Sequence, residues 1–340
     1  MTRAAPSLAL ALAAMLSVQP PPTVDFDRGV REVLARTLQF TAGEFADLQR
    51  GHPVKHGLDA RAPGEFAVAG AIKVAAARAA FLDAARDIVK FKAGQEILEI
   101  GRFSASPVID DLAALTVGKA DFDASRCRVR DCDIRLPAAV IQRVAKEIDV
   151  KGRTAQEETS AWFKQMLLAN VQAYVSGSPR RFAQYDDGDR PIRPIDDFAG
   201  LLAATPAVGT LVPGLPEHLA RFPEAPLPEA EDFLYWSKES FGPAPFISVT
   251  HVTIVCAAPH TCVMTTKDVY STRYIDASLA VAVVTDSMTG DATYVVYANR
   301  SRINALRGTF SALRKSLVER RARNTLEQSL VRIKTRLEHK

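Results

Sequence analysis

Residues 246–299 read FISVTHVTIVCAAPHTCVMTTKDVYSTRYIDASLAVAVVTDSMTGDATYVVYAN. Apolar and polar side chains alternate through four runs of this stretch, and the turn residues Met288-Thr289-Gly290-Asp291 separate the last two runs. A period of two residues is typical of β-strands, and short polar breaks between such runs are typical of hairpins. The pattern therefore predicts an antiparallel meander with strands at 246–256, 262–272, 274–286 and 292–299.

A long helix is predicted after the meander, from Ile303 onward. Leu306, Phe310, Leu313 and Leu317 recur at steps of three and four, which places them on one side of a helix. After a small phase shift the apolar stripe continues with Val318, Ala322, Leu326, Leu330, Ile333 and Leu337. The apolar stripe of this helix needs a partner, and the face of the sheet is the nearest one. We therefore expect the meander to pack on the C-terminal helix.

Upstream of the meander the chain divides into two parts. Residues 23–190 are predicted to be mainly helical with short strands, including a strand at 65–74 and helices at 77–89 and 154–175. Residues 191–245 hold ten of the twenty prolines and are predicted to form an acidic connector with only short helices. Together the three parts predict one large α+β domain over residues 23–340, with the proline-rich segment as an insertion.

The N-terminal segment is typical of an export signal. Arg3 precedes an Ala/Leu-rich run up to Val18, and an apolar run of this length behind a positive charge is the pattern of a signal peptide. We expect residues 1–22 to be this signal, either cleaved or retained as an anchor. The protein is then exported, to the periplasm or the cell exterior.

The four cysteines come in two close pairs, Cys127/Cys132 and Cys256/Cys262. An even number of cysteines in an oxidising compartment favours disulfides, and pairing within each local pair is the simplest connectivity. A metal site is the alternative, but the spacings lack the usual C-x2-C of zinc sites. His52 and His56 also have a ligand-like spacing, yet Pro53 between them favours a loop, so the sequence predicts no metal site and no cofactor.

Charge is distributed unevenly along the 340 residues, although the net charge is only +4. Residues 186–232 carry a net charge of −7, and residues 300–340 carry +9. The two regions face each other, or the basic end meets an anionic partner. Export argues against nucleic acid and favours an anionic membrane surface. The candidate contact residues on the helix are Arg314, Lys315, Arg320, Arg321 and Arg323, and the alternative is that they form only the solvent-exposed side opposite the apolar stripe.

A strand at 65–74 with a helix at 77–89, closed much later by a meander and a long helix, resembles the START-like helix-grip lipid-binding domains. The resemblance covers residues 65–104 and 246–338 and makes the segment from Cys127 to about Pro245 an insertion. It implies a curved antiparallel sheet that grips the last helix around an apolar cavity. The runs Tyr235-Trp-Ser-Lys238 and Asn299-Arg-Ser-Arg302 also resemble those of exported bacterial proteins without an assigned activity.

Four residues of the meander are candidates for ligand binding: His251, Tyr270, Tyr274 and Tyr297. Buried tyrosines combine a large apolar area with a hydroxyl, which suits a cavity for an amphipathic ligand, while ordinary sheet packing is the simpler interpretation. The first hypothesis is a non-catalytic envelope protein that binds a lipid or another apolar molecule.

Two alternatives remain open at the level of sequence. One is a periplasmic hydrolase in which His251 acts with a carboxylate such as Asp268 or Asp276, and the other is a protein–protein interaction module. Neither a nucleophile elbow nor another catalytic motif is present, so the sequence names no catalytic residue and leaves enzymatic activity undecided.

Overall fold

The computed structural model describes residues 28–94, 96–178, 184–185, 191–240, 243–303, 306 and 311–339. The predicted signal segment at residues 1–22 lies outside the described residues. Among the helices within the described ranges, none combines the length and apolar character that a membrane span requires.

Eight strands form one antiparallel sheet in the order β1-β2-β8-β7-β6-β5-β4-β3. The strands are β1 Val54–Gly57, β2 Glu65–Val74, β3 Ile97–Arg102, β4 Glu231–Glu239, β5 Phe246–Ala258, β6 Thr261–Ser271, β7 Ile275–Asp286 and β8 Thr293–Ile303. The last four are the predicted meander, which is confirmed to within four residues at each end. The N-terminal β2 pairs with β8 over its whole length, from Glu65 opposite Arg302 to Val74 opposite Thr293.

Ten α-helices are described, and they cover both faces of the sheet. They are α1 Arg28–Arg36, α2 Ala42–Gln49, α3 Arg78–Arg86, α4 Ile88–Lys92, α5 Ala138–Glu147, α6 Ala155–Val175, α7 Pro194–Ala203, α8 Ala207–Leu211, α9 Leu215–Arg221 and α10 Ser311–Glu338. The predicted α+β class with a C-terminal helix against an antiparallel sheet is confirmed. The capping box Thr41-Ala-Gly-Glu44 fixes the start of α2 by reciprocal hydrogen bonds.

One face of the sheet, which we call the α10 face, packs against α3, α4 and α10. The stripe of α10 that reaches this core includes Leu326, Leu330 and Leu337. The packing is close at β2, where a Cβ on Gly70 would lie only 3.0 Å from Leu326 and Leu330 side-chain atoms. Glycine at this position therefore lets the helix approach the strand.

The opposite face, which we call the α6 face, packs against two separate groups of helices. α1, α2, α7, α8 and α9 cover one end of it, and α5 and α6 cover the other. The apolar cluster under the first group includes Val255 and Val263, and the cluster under the second includes Leu234 and Val249. The strip of sheet between these clusters holds polar residues.

The prediction for residues 191–245 is wrong in one respect, because strand β4 lies inside the supposed connector. Its core, Phe233 to Trp236, is buried and pairs with β5 on one side and β3 on the other. The prolines that suggested a connector flank this strand and leave its interior free, so they do not interrupt its hydrogen bonding. The segment is thus part of the sheet and not an insertion outside it.

Both predicted disulfides are present, Cys127–Cys132 and Cys256–Cys262. The second joins the end of β5 to the start of β6 across their hairpin.

Candidate functional site

A polar patch crosses three neighbouring strands on the α6 face. Strand register aligns Asp232 of β4, Thr253 of β5 and Thr265 of β6 in one row. The next row pairs His251 of β5 with Lys267 of β6. Cross-strand neighbours lie about 5 Å apart, so these five side chains form one continuous surface. Thr253, Thr265 and His251 are fully buried.

The contacts of the patch converge on one oxygen atom, Oδ1 of Asp232. It lies 3.0 Å from Nε2 of His218 and 2.9 Å from Nε2 of His251. The hydroxyl of Thr253 donates to the same oxygen at 2.7 Å. His218 comes from the short helix α9, so three separate elements bring the two imidazoles and the carboxylate together. We call His218, Asp232 and His251 the His2Asp centre.

Each histidine of the centre is held by a further partner at its other ring nitrogen. Nδ1 of His218 lies 2.8 Å from the carbonyl oxygen of Ala225, and Nδ1 of His251 lies 3.0 Å from the hydroxyl of Tyr174 on α6. Such outer partners fix the orientation and the tautomer of a ligating imidazole. The Phe222 ring, with its centroid 4.3 Å from that of His251, packs against the same imidazole.

The hydrogen-bond roles at His218 are determined by its partners. A carbonyl oxygen only accepts, so Nδ1 carries the proton that is donated to Ala225. A neutral His218 then presents an unprotonated Nε2 to a carboxylate oxygen at 3.0 Å, which places two lone pairs against each other. The contact requires a cation, either a second proton on His218 or a metal ion.

Electrostatics separate the roles of the groups. Burial opposes the ionised form of Asp232, but hydrogen bonds with His251, Thr253 and His218 lower its pKa to about 2. Burial lowers the pKa of His251 despite the bond to Asp232. The centre therefore contains a firmly ionised carboxylate and an imidazole that favours its neutral, ligand-competent form.

Two further groups border the centre. Burial lowers the pKa of Lys267 to about 8, and burial together with the nearby Asp232 raises the pKa of Tyr174. The Lys267 ammonium lies 5.3 Å from the centre of the Tyr174 ring and 4.5 Å from that of Phe198. The side chain of Asp232 is 20% exposed, while those of both histidines are almost fully buried, so Asp232 connects the centre with solvent.

The four predicted ligand-binding residues do not form one site. His251 and Tyr270 contribute to the α6 face, where Tyr270 donates to the carbonyl of Arg135 at 3.1 Å. Tyr297 packs on the α10 face, and the Tyr274 hydroxyl contacts the backbone of Ala244 in the turn before β5. Side chains alternate between the two faces of a sheet, so residues of one meander do not necessarily meet.

Neither carboxylate suggested for His251 is its partner. Asp268 pairs in register with Thr250 and accepts a hydrogen bond from that hydroxyl at 3.1 Å. Asp276 forms a buried ion pair with Arg135, with an N–O distance of 2.7 Å. The structure instead places Asp232 beside His251, with Oδ1 2.9 Å from Nε2. This distance is short enough for proton transfer or for binding of one metal ion by both groups.

The predicted basic surface on α10 is partly exposed. Arg320 and Arg321 face solvent, Lys315 lies 3.7 Å from Glu319, and Arg323 reaches toward Gly57 of β1. The side chain of Arg314 lies outside the described part of the chain. Within the acidic region 186–232, Glu231 pairs with Arg86, whereas Asp197 pairs with Arg302 of the basic region 300–340.

Sequence reasoning missed His218 and Asp232 because the three residues of the centre are 14 and 19 positions apart and belong to different elements. Asp232 also lay in the supposed connector. The one available signal was His251, a histidine in the middle of an apolar strand. Comparison with protein-family models, with curated proteins and with solved structures found no match to this chain.

Proposed function

We propose that the protein binds a divalent transition-metal ion at the His2Asp centre. The donor set is two imidazole nitrogens and one carboxylate oxygen, which all lie within 4.8 Å of one another. Two imidazoles and a carboxylate are a recurring ligand set of zinc and non-haem iron sites. Imidazole ligands favour ions such as Zn²⁺ or Co²⁺ over Mg²⁺ and Ca²⁺, which prefer oxygen.

The spacing of the donors suits such an ion. Two metal–ligand bonds of about 2.1 Å separate their donor atoms by about 3.4 Å in a tetrahedral zinc site and by about 3.0 Å where the bonds meet at a right angle. The observed separations from Asp232 Oδ1 are 3.0 Å to His218 and 2.9 Å to His251. The three donor atoms lie within 4.8 Å of one another, so one ion binds all three once the side chains adjust, and Asp232 provides the side from which it enters.

The observation that carries the proposal is that Nε2 of His218 faces the Asp232 carboxylate while Nδ1 donates to the carbonyl oxygen of Ala225, so the contact needs a proton or a metal ion between the two atoms. A metal ion would bind both atoms and leave Nδ1 with the proton that it donates to the carbonyl oxygen of Ala225. Ala225 and Tyr174 then act as outer partners of the two imidazoles. A second proton on His218 is the competing explanation for this contact, and titration with metal ions distinguishes it from a metal site.

This proposal changes the role of His251 in the hydrolase hypothesis. A metal ligand commits its lone pair to the ion and does not act as a general base at the same time. Any hydrolytic chemistry at this centre would then use the metal as a Lewis acid or as the source of bound hydroxide.

The test is metal binding by chelator-treated protein. Calorimetric titration with Zn²⁺ and Co²⁺, and with Mg²⁺ and Ca²⁺ for comparison, should give one transition-metal ion per chain. Asp232→Asn and His218→Gln should weaken binding more than about 100-fold, because loss of an outer partner alone costs about 10–100-fold. His56→Gln is the matched control, since His56 forms a separate pair with Glu44 at 2.7 Å.

Two results would contradict the proposal. One is equal metal affinity in the wild type and Asp232→Asn. The other is an absence of transition-metal binding by a folded wild type, combined with two slowly exchanging ring protons on His218 in nitrogen-edited NMR spectra, which identifies a protonated ion pair.

We also propose that the protein is exported, and both disulfides support this because such bonds persist in oxidising compartments. Expression of the full chain fused to a reporter that is active only outside the cytoplasm tests the signal, with residues 1–22 deleted as the control. Retention of reporter activity in the deleted form would contradict it.

A second candidate function, ligand binding between the sheet and α10 in the manner of a helix-grip domain, is supported by how α10 is held. Lys55 of edge strand β1 binds Glu327 of α10 on one side. On the other side Arg336 donates to the carbonyl of Lys90, in the segment that leads to the opposite edge strand β3. Both edges of the sheet thus reach the helix.

Native mass spectrometry with lipid extraction tests this candidate directly. A lipid or another apolar molecule should co-purify with protein isolated from its own envelope, and vesicles with anionic lipid should bind the wild type better than Arg320→Ala/Arg321→Ala. Protein without a co-purified molecule, and equal binding to neutral and anionic vesicles, would refute it.

A further inference from the structure

Thr265 is the unexplained residue of the polar patch. Its side chain is fully buried, and its hydroxyl has no hydrogen-bond partner among the described residues. A buried unsatisfied hydroxyl destabilises a protein by about 1–3 kcal/mol, so such groups usually contact water or a ligand. Thr265 lies directly across from Thr253, whose hydroxyl binds Asp232. The unsatisfied hydroxyl therefore faces the surroundings of the His2Asp centre.

Lys267 lies on the other side of the same surface. It occupies the same face as Thr265 two residues along β6 and pairs in register with His251. Its ammonium donates to the carbonyl oxygen of Leu219 at 2.7 Å, which uses one of its three donors. The ring faces of Tyr174 and Phe198 hold the cation in place. A partly buried cation thus lies beside the centre, on the side away from Asp232.

The charges of the loaded centre do not balance. A divalent ion with neutral imidazoles, one carboxylate and one ammonium leaves two positive charges in a mostly buried region. Uncompensated buried charge is strongly unfavourable, and it is relieved either by loss of the lysine proton or by a bound anion. The patch supplies a metal, an ammonium and a free hydroxyl donor, which together suit oxygen atoms with negative charge.

We infer that Thr265 and Lys267 form, beside the metal, a binding position for a small oxyanion such as a carboxylate or a phosphate group. The inference rests on the proposed metal centre and names the chemical class of its exogenous ligand. Thr265 and Lys267 project from the same face of β6 two residues apart, a spacing of about 7 Å between their Cα atoms, so both side chains can reach one small anion. One oxyanion oxygen binds the metal, and the others accept from the Thr265 hydroxyl and the Lys267 ammonium.

The experiment uses protein loaded with Co²⁺, whose visible spectrum reports changes in coordination. Sodium acetate and inorganic phosphate are titrated at constant ionic strength, with sodium perchlorate as a weakly coordinating reference. The wild type should show a saturable spectral change with acetate or phosphate. A response to acetate alone or to phosphate alone identifies which group the position accepts.

Two variants locate the position. Thr265→Val should bind the metal as the wild type does and bind the anion about tenfold more weakly, because one hydrogen bond to a charged group is lost. Lys267→Met should weaken anion binding at least as much. Thr266→Val is the matched control, since Thr266 is the adjacent residue of β6 and belongs to the opposite face. It should leave both affinities unchanged.

The possible failures are distinguishable. Normal metal binding with no saturable anion response overturns this inference and leaves the metal centre standing. Equal anion affinity in Thr265→Val, Lys267→Met and Thr266→Val also overturns it, because the anion then binds elsewhere. Failure of the folded wild type to bind metal overturns the metal centre and the inference together.

Discussion

Replacing Thr265 with valine should make the ligand-free protein more stable. Valine has nearly the same shape as threonine and exchanges the hydroxyl for a methyl group. The hydroxyl of Thr265 is fully buried without a partner among the described residues, so its removal relieves an unsatisfied polar group. We expect a gain of about 1–2 kcal/mol in the free energy of unfolding, from the lost penalty and the buried methyl.

Thr253→Val is the matched comparison, because it should change stability in the opposite direction. The substitution is chemically identical and affects the directly opposite residue, which is also fully buried. The Thr253 hydroxyl donates to the ionised Asp232 at 2.7 Å. Loss of a hydrogen bond to a charged group costs about 1.5–3 kcal/mol. The two variants should therefore change stability in opposite directions.

The assay is urea unfolding of chelator-treated protein, followed by the fluorescence of the fully buried Trp236. The midpoint should rise for Thr265→Val and fall for Thr253→Val, with the slope of the transition unchanged in both. A Thr265→Val protein that is less stable than the wild type refutes the reasoning. Its hydroxyl would then have a strong partner in solution, such as a buried water molecule.

Three further predictions concern the frame around the site. Burial raises the pKa of Asp268 from 3.8 to about 7, so between these pH values the folded protein retains a proton that the unfolded chain releases. The free energy of unfolding should therefore fall by up to about 4 kcal/mol as the pH rises through this window, and by less where solvent screens the group. Asp268→Asn should flatten this pH profile when urea unfolding is measured from pH 4 to 8. Gly70→Ala should lower stability by about 1–3 kcal/mol, because the added Cβ would lie 2.7 Å from the carbonyl oxygen of Val54; a midpoint equal to that of the wild type would contradict the close packing. Asp276→Asn should cost about 3–5 kcal/mol by leaving Arg135 buried without its charge partner, and a loss below 1 kcal/mol in thermal unfolding would show that the pair is solvated.

The parts of the fold that the sequence predicted are those governed by local pattern. The meander strands and α6 were found close to their predicted bounds, since alternation and helical periodicity both extend over ten residues or more. Strand β4 was missed because it lies among prolines and begins with the charged pair Glu231-Asp232. These charges lie at the start of the strand, and the Asp232 carboxylate is the group that both His218 and His251 contact.

The candidate site was less predictable, for a geometric reason. Which residues of a meander meet depends on strand register and on bulges, and one irregularity falls between Val249 and Thr250. The sequence alone does not tell whether Lys267 or Asp268 lies opposite His251. The observed register pairs His251 with Lys267 and Thr250 with Asp268. A shift of one residue moves a side chain to the other face of the sheet. His218 arrives from a separate helix, and no local pattern predicts that contact.

The position of the polar patch strengthens the case that it is retained for function. It lies on the α6 face between two apolar clusters, one containing Val255 and Val263 and the other containing Leu234 and Val249. Apolar side chains in its place would join these clusters, and buried ionic groups are often less stabilising than such packing. The patch instead retains an ionised carboxylate, a partly buried lysine and the unsatisfied hydroxyl of Thr265. Features that lower stability are expected at sites that bind a ligand. If Thr265→Val both raises the free energy of unfolding and weakens anion binding, the same hydroxyl is responsible for the loss of stability and for the binding.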